Sequence, residues 1–160
     1  MWGIGLVLLV PSWQGLVYLQ GLENGPWWVL YAMSLVWAAD TGAYFAGRSF
    51  GKRKLAPAVS PGKTLEGLYG GIAATSLLAL AVAAFSPAAQ KMGVVGFLLV
   101  SVMAVLASVL GDLFESMAKR HRGIKDSSQL LPGHGGVLDR IDSITAAVPV
   151  FVTGMMFLKG

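Results

Sequence analysis

The stretch VVGFLLVSVMAVLASVLGDLF, Val94 to Phe114, carries a single charged side chain, Asp112, close to its end. A run of about 20 apolar residues matches the hydrocarbon core of a bilayer. In that solvent a segment must satisfy its backbone hydrogen bonds internally, as a helix does. The stretch therefore predicts a transmembrane helix, continuing as a helix towards Arg120. Outward from it lie further apolar runs. Trp2 to Leu19 contains Pro11, a kink that neighbouring helices would have to accommodate. Trp27 to Phe45 opens on Trp27 and Trp28, an interfacial aromatic belt. Leu68 to Phe85 begins with Gly70 and Gly71, small residues that let another helix approach closely. Ile144 to Leu158 completes the set. The expected fold is all-α: a polytopic transmembrane helix bundle of about five spans with cytoplasmic polar loops. Residues 1–160 are expected to form a single membrane-embedded domain.

Composition agrees. The chain is 55% hydrophobic and 12% charged, against about 25% charged for an ordinary soluble domain. Apolar runs alternate with short, crowded polar segments, which a soluble helical core protein would not need. The net charge of +4 comes from basic residues in loops beside apolar spans, with no recognisable nucleic-acid module. Anionic lipid and a phosphate-bearing substrate suit it better. Cysteine is absent, which excludes a disulfide framework and a thiolate metal site. No positively charged region precedes the first apolar run, so a cleavable signal peptide is a poor reading.

The basic residues also set orientation, because cytoplasmic loops are rich in Lys and Arg. Arg48, Lys52, Arg53, Lys54 and Lys63 follow the second span. Lys119, Arg120, Arg122, Lys125 and Arg140 lie between the fourth and fifth. Together these are ten of the twelve basic residues. Both polar segments are therefore expected on the cytoplasmic face, where they can build one site.

The densest chemistry runs from Gly111 to Asp142. Asp112, Glu115 and Lys119 share one helix face by their spacing. Asp112 ends an apolar span, where a carboxylate needs a partner. Downstream come Lys125 and Asp126, then Pro132-Gly133-His134-Gly135-Gly136-Val137-Leu138-Asp139-Arg140-Ile141-Asp142. Glycines around a histidine let the backbone approach an anion closely. Asp139 suits a helix N-terminus, and Arg140 can grip a phosphate bidentately. Carboxylates beside such a loop suit Mg²⁺. His134 is read as a phosphate contact or loop anchor in preference to a metal ligand. No cysteine or second suitably spaced histidine supports zinc.

Ser60-Pro61-Gly62-Lys63-Thr64-Leu65-Glu66-Gly67 contains a Gly-Lys-Thr like that of a P-loop. The full motif fails, because position 57 is Pro57 and no strand is expected before it. The segment still offers backbone N–H groups, two hydroxyls and a lysine ahead of a helix, all suited to a polyphosphate. Asp40-Thr41-Gly42-Ala43-Tyr44-Phe45-Ala46-Gly47-Arg48 places Asp40 inside an apolar span. Asp40 is either functional or part of an ion pair that locks the bundle.

Taken together, these residues resemble the phosphatidate cytidylyltransferase (CDP-diacylglycerol synthase) family. The family pattern Ser-x-apolar-Lys-Arg, four residues, Lys-Asp, then Pro-x-His-Gly-Gly-x-x-Asp-Arg-x-Asp is matched from Ser116 to Asp142. The one small departure is Ala118, where the family has a larger apolar residue. The runs at 40–48 and 60–67 resemble the family's other shared segments. Members carry further helices before the part that matches Met1 onward, so the chain is expected to be a C-terminal catalytic portion.

The resemblance implies transfer of the cytidylyl group of CTP to phosphatidate, giving CDP-diacylglycerol and pyrophosphate for phospholipid biosynthesis. It implies Mg²⁺ held by Asp112 and Asp139, and admits a second, monovalent cation. Asp112, Lys119, Asp139 and Arg140 are then the catalytic candidates. Ser60, Lys63, Thr64, Glu66, Lys125, His134, Gly135 and Gly136 are the substrate-binding ones. CTP, phosphatidate, membrane lipid and a second copy in a homodimer are the expected partners, in the inner (cytoplasmic) membrane with the site on the cytoplasmic side. The rivals are a CTP-dependent polyprenol kinase, which would need a base for a neutral hydroxyl, and an ion-coupled transporter using Asp40 and Asp112.

Overall fold

The computed structural model describes the backbone of residues 2–124, 127 and 138–159, and side chains over 9–124, 127 and 141–158. Lys125, Asp126, His134, Gly135 and Gly136 lie outside the described residues, and the side chains of Asp139 and Arg140 lie outside the described side chains.

The apolar runs become helices α1 (Trp2–Gln20), α2 (Gly25–Phe50), α3 (Leu65–Phe85), α5 (Val94–His121) and α6 (Leu138–Lys159), with a short α4 (Pro87–Lys91) before α5. Helices α3, α5 and α6 are long and apolar enough by themselves to cross a membrane. The chain is a membrane protein whose fold is all-α. α1 and α2, at 19 and 26 residues, occupy the places expected of the first two spans. α1 runs through Pro11, and the next residue, Ser12, donates a hydrogen bond from Oγ to the Thr145 carbonyl of α6 at 2.5 Å.

Among the described residues, the exception to all-α architecture is a hairpin of β1 (Lys54–Ala56) and β2 (Ser60–Thr64), paired antiparallel with an irregular register. The Gly-Lys-Thr segment is thus itself a strand, where a loop was expected. Strand β2 runs directly into α3. Thr64 Oγ1 caps that helix by accepting the Gly67 N–H at 3.1 Å. Thr64 is buried in this role.

The core centres on Tyr31. Its ring stacks on Phe97 at 5.1 Å and tilts against Phe151 at 5.5 Å. Its hydroxyl is 2.7 Å from Ser101 Oγ, which itself donates to the Phe97 carbonyl. A buried phenol in an apolar bundle needs such a partner.

Two close helix contacts position the site. α2 and α3 pack along small residues. A Cβ added at Gly42 would lie 2.5 Å from the Gly70 carbonyl oxygen, and one at Gly71 would lie 2.9 Å from that of Ala39. α5 and α6 meet equally closely, with a Cβ at Gly111 falling 2.5 Å from that of Ala146. Small residues allow this approach in a bilayer, where packing rather than hydrophobic exclusion drives helix association. The glycines flank the charged positions: Gly42 follows Asp40, and Gly111 precedes Asp112.

Candidate active site

The Lys63 ammonium, on β2, lies 2.5 Å from Asp112 Oδ2 on α5. Both side chains are about a third exposed or less, at 27% and 30%. Ser116, one turn further along α5, donates to Asp112 Oδ1 at 3.3 Å. Asp40 of α2 lies within electrostatic reach of Lys63, Asp112 and Asp142. Asp142 of α6 is in turn close to Asp112, Lys119 and Glu115. Lys119 reaches back one turn to Glu115 Oε1 at 3.2 Å. Two lysines thus sit among four carboxylates contributed by three helices. This is the convergence of distant polar segments that the charge pattern predicts.

A cavity of about 410 Å³ opens beside this cluster. Asp40, Tyr44 and Arg48 line it from α2, Lys63 and Thr64 from the hairpin, and Val105 and Val109 from α5. Arg48 donates from Nη1 to the Tyr44 hydroxyl at 2.8 Å, so its guanidinium is held at the cavity rim. The walls are partly apolar and the charged groups few, as in a site that takes an amphiphilic ligand.

Glu66 anchors the hairpin. Its Oε2 accepts the backbone N–H groups of Lys52 and Arg53 at 3.1 and 3.2 Å, and its Oε1 accepts Arg53 Nε at 3.3 Å. The Leu65 N–H adds a bond to the Arg53 carbonyl at 2.9 Å. On the far side, Arg120 Nε of α5 approaches the Val59 carbonyl at 3.5 Å. The hairpin is tied at both ends, and this fixes Lys63 over the cavity. Glu66→Ala is expected to release it. Trypsin should then cut between Lys52 and Lys54 several-fold faster than in the parent protein, while the helices stay folded by circular dichroism.

The residues match the model of the cytidylyltransferase family over 1–158. The chain belongs to that family. It is 57% identical over 151 residues to the phosphatidate cytidylyltransferase of Pseudomonas aeruginosa, covering 93% of this chain and 55% of that protein. The Haemophilus influenzae phosphatidate cytidylyltransferase is 59% identical over 136 residues, covering 84% and 47%. That of Bacillus subtilis is 40% identical over 153 residues, covering 91% and 56%. The chain spans about half the length of the curated relatives it matches.

In this member of the cytidylyltransferase family, several sequence-predicted site residues converge and others lie outside the described side chains. Lys63 and Thr64 line the cavity and Asp112 meets Lys63 beside it, while Lys119 pairs with Glu115 further along α5; Thr64 and Lys119 are already bonded within the protein. Ser60 begins β2, three residues before Lys63. Glu66 faces the chain leading into the hairpin, where it holds the backbone N–H groups of Lys52 and Arg53. Arg48 and Tyr44 are additions. The sequence carried two signals for them: their place in the 40–48 run and their one-turn spacing on the helix that bears Asp40.

The donor chemistry is compatible with Mg²⁺, since Asp112 offers hard carboxylate oxygens, with Asp40 and Asp142 in its electrostatic neighbourhood and no cysteine in the chain. Among the described residues no three acidic or histidine side chains form a metal cage by themselves. That suits an ion bound by one or two carboxylates together with water and phosphate.

Proposed function

We propose that the protein containing this chain transfers the cytidylyl group of CTP to phosphatidate. The observation that carries this reading is the Lys63–Asp112 contact beside a partly apolar, arginine-rimmed cavity. Family membership and relatives named phosphatidate cytidylyltransferase support it.

In this reading a phosphatidate phosphate oxygen attacks the α-phosphorus of CTP. A new P–O bond forms, the bond from the α-phosphorus to the bridging oxygen breaks, and pyrophosphate leaves. The nucleophile is already an anion, so no strong base is required. The main task is to bring two anions together, which is positioning and charge neutralisation. Lys63 and Arg48 supply positive charge on two sides of the cavity. Lys119 and Arg140, with the Gly135-Gly136 loop and His134, add phosphate-binding groups from the sequence side. Asp112 and Asp139 would hold Mg²⁺, which neutralises charge on phosphate oxygens. In this reading the site lies on the cytoplasmic side of the inner membrane, facing the nucleotide pool; the excess of Lys and Arg at the hairpin end of the bundle supports that orientation.

The test uses the complete protein, purified, with Mg²⁺, phosphatidate and CTP labelled on the α-phosphate. Label recovered in CDP-diacylglycerol supports the assignment. Label left entirely in soluble nucleotide, with a γ-labelled sample instead marking a lipid alcohol, would establish a kinase. Product formed in detergent, with no membrane barrier, argues against transport.

Arg48 gives a narrower test. Arg48→Ala is expected to raise the KM for one anionic substrate about tenfold, the weight of a charge-assisted bond. Tyr44→Phe, which removes only the group that positions the guanidinium, should have a smaller effect in the same direction. Unchanged kinetics in both variants would remove Arg48 from the site.

A further inference from the structure

The α2–α3 pair is closed at one end and open at the other. Near the hairpin, glycines bring the two backbones together. Towards the opposite end the facing residues are bulky, and a groove of about 640 Å³ runs between the helices, walled by Trp27, Leu30, Leu78, Val82 and Phe85. At its mouth it adjoins a second cavity of about 560 Å³, and the two share Asn24, Trp28, Ser86, Pro87 and Ala88. The second cavity adds Glu23 and Lys91. Both are exposed, and the ion pairs among the described residues join other partners.

One continuous recess therefore has an apolar floor along the membrane and two opposite charges at its polar mouth. Trp27 and Phe85 stand at the rim, 71% and 89% exposed, as aromatic rings do at the headgroup level. A single anionic headgroup would satisfy Lys91 and be opposed by Glu23. A headgroup bearing both a phosphate and an ammonium satisfies both. We propose that this recess binds a zwitterionic, amine-bearing glycerophospholipid. An acyl chain lies in the α2–α3 groove, the phosphate at Lys91 and the ammonium at Glu23. The site lies at the end of the bundle remote from Lys63, and does not depend on the proposed catalytic reading.

The test is native mass spectrometry of the complete protein titrated with dioleoyl phosphatidylethanolamine or dioleoyl phosphatidylglycerol, which differ only in the headgroup. The parent protein is expected to favour the ethanolamine lipid by about fivefold, the weight of one interfacial charge. Glu23→Lys should abolish that preference, because it removes the partner of the ammonium, whereas Lys91→Glu should weaken both lipids, which share the phosphate, and leave the preference in place. Ala81→Trp, which fills the groove, should weaken both lipids together. The charge variants are at exposed positions, so they decide the matter even where the tryptophan variant does not fold. Equal binding of the two lipids by the parent, preference for the glycerol lipid, a preference unchanged in Glu23→Lys, or unweakened binding of both lipids by Lys91→Glu would overturn the proposal.

Discussion

Asp112→Asn, in the complete protein, is expected under the proposed function to lower CDP-diacylglycerol formation by about a thousandfold, the upper range for losing a group that stabilises developing charge. The substitution keeps the shape of the side chain, and its remaining oxygen can still accept from Ser116 Oγ, now at 3.3 Å. Helix α5 should therefore insert and pack as before. What disappears is the negative charge that faces Lys63 and would draw a divalent cation. Activity at the parental level, with the variant inserted, would remove Asp112 from the reaction. Lys63→Ala extends the test. Residues that act as one unit give strongly non-additive losses. The double variant should be little worse than Asp112→Asn alone. Multiplied losses would mean that the two side chains act separately.

The second large effect is structural. Gly42→Leu is expected to destabilise the bundle by about 3 kcal/mol, the upper end of the usual range for overpacking. Its Cβ would sit 2.5 Å from the Gly70 carbonyl oxygen and 2.7 Å from the Ala74 Cβ. The first of these is backbone, which cannot swing aside as a long side chain would. α2 and α3 would have to separate, carrying Asp40 and Arg48 away from the hairpin. Unfolding by sodium dodecyl sulfate in mixed micelles would measure the change. Gly62→Ala is the control, because a Cβ there meets nothing within 4 Å. Equal stability of the two variants would show that the α2–α3 contact is looser than described.

The helices were legible in the sequence because lipid imposes one rule on every span. Apolar runs located α1, α3 and α5 closely, and Gly70-Gly71 marked the face that meets another helix. The ends were harder. α2 continues beyond Phe45 to Phe50, since nothing in Ala46-Gly47-Arg48-Ser49 stops a helix outright. The hairpin left no alternating pattern, with Pro57 and Pro61 interrupting residues that proved to be paired or in the turn. α4 is one short turn-rich helix opened by Pro87, too brief for periodicity to register.

The site was legible by residue type and less so by partner. Asp112 announced itself as a carboxylate at the end of an apolar span, but its contact with Lys63 depends on the hairpin and so on the fold. Asp40 was readable as an ionisable group within a span, and its place beside Lys63 and Asp112 bears on both of its readings. Glu66 looked like a ligand contact from its neighbours in sequence. In the structure its carboxylate, in the first turn of α3, accepts the backbone N–H groups of Lys52 and Arg53, contacts that depend on the hairpin and so on the fold.

The contact between Lys63 and Asp112 has one more implication. Each side chain occupies the other's valence for charge, so parting them liberates an acceptor and a donor in a single motion. Whatever engages either group makes its counterpart available, and thermodynamic reciprocity requires the favour to be returned by the same factor. Occupancy by anion and by cation should rise together, as a matched couple rather than as independent events.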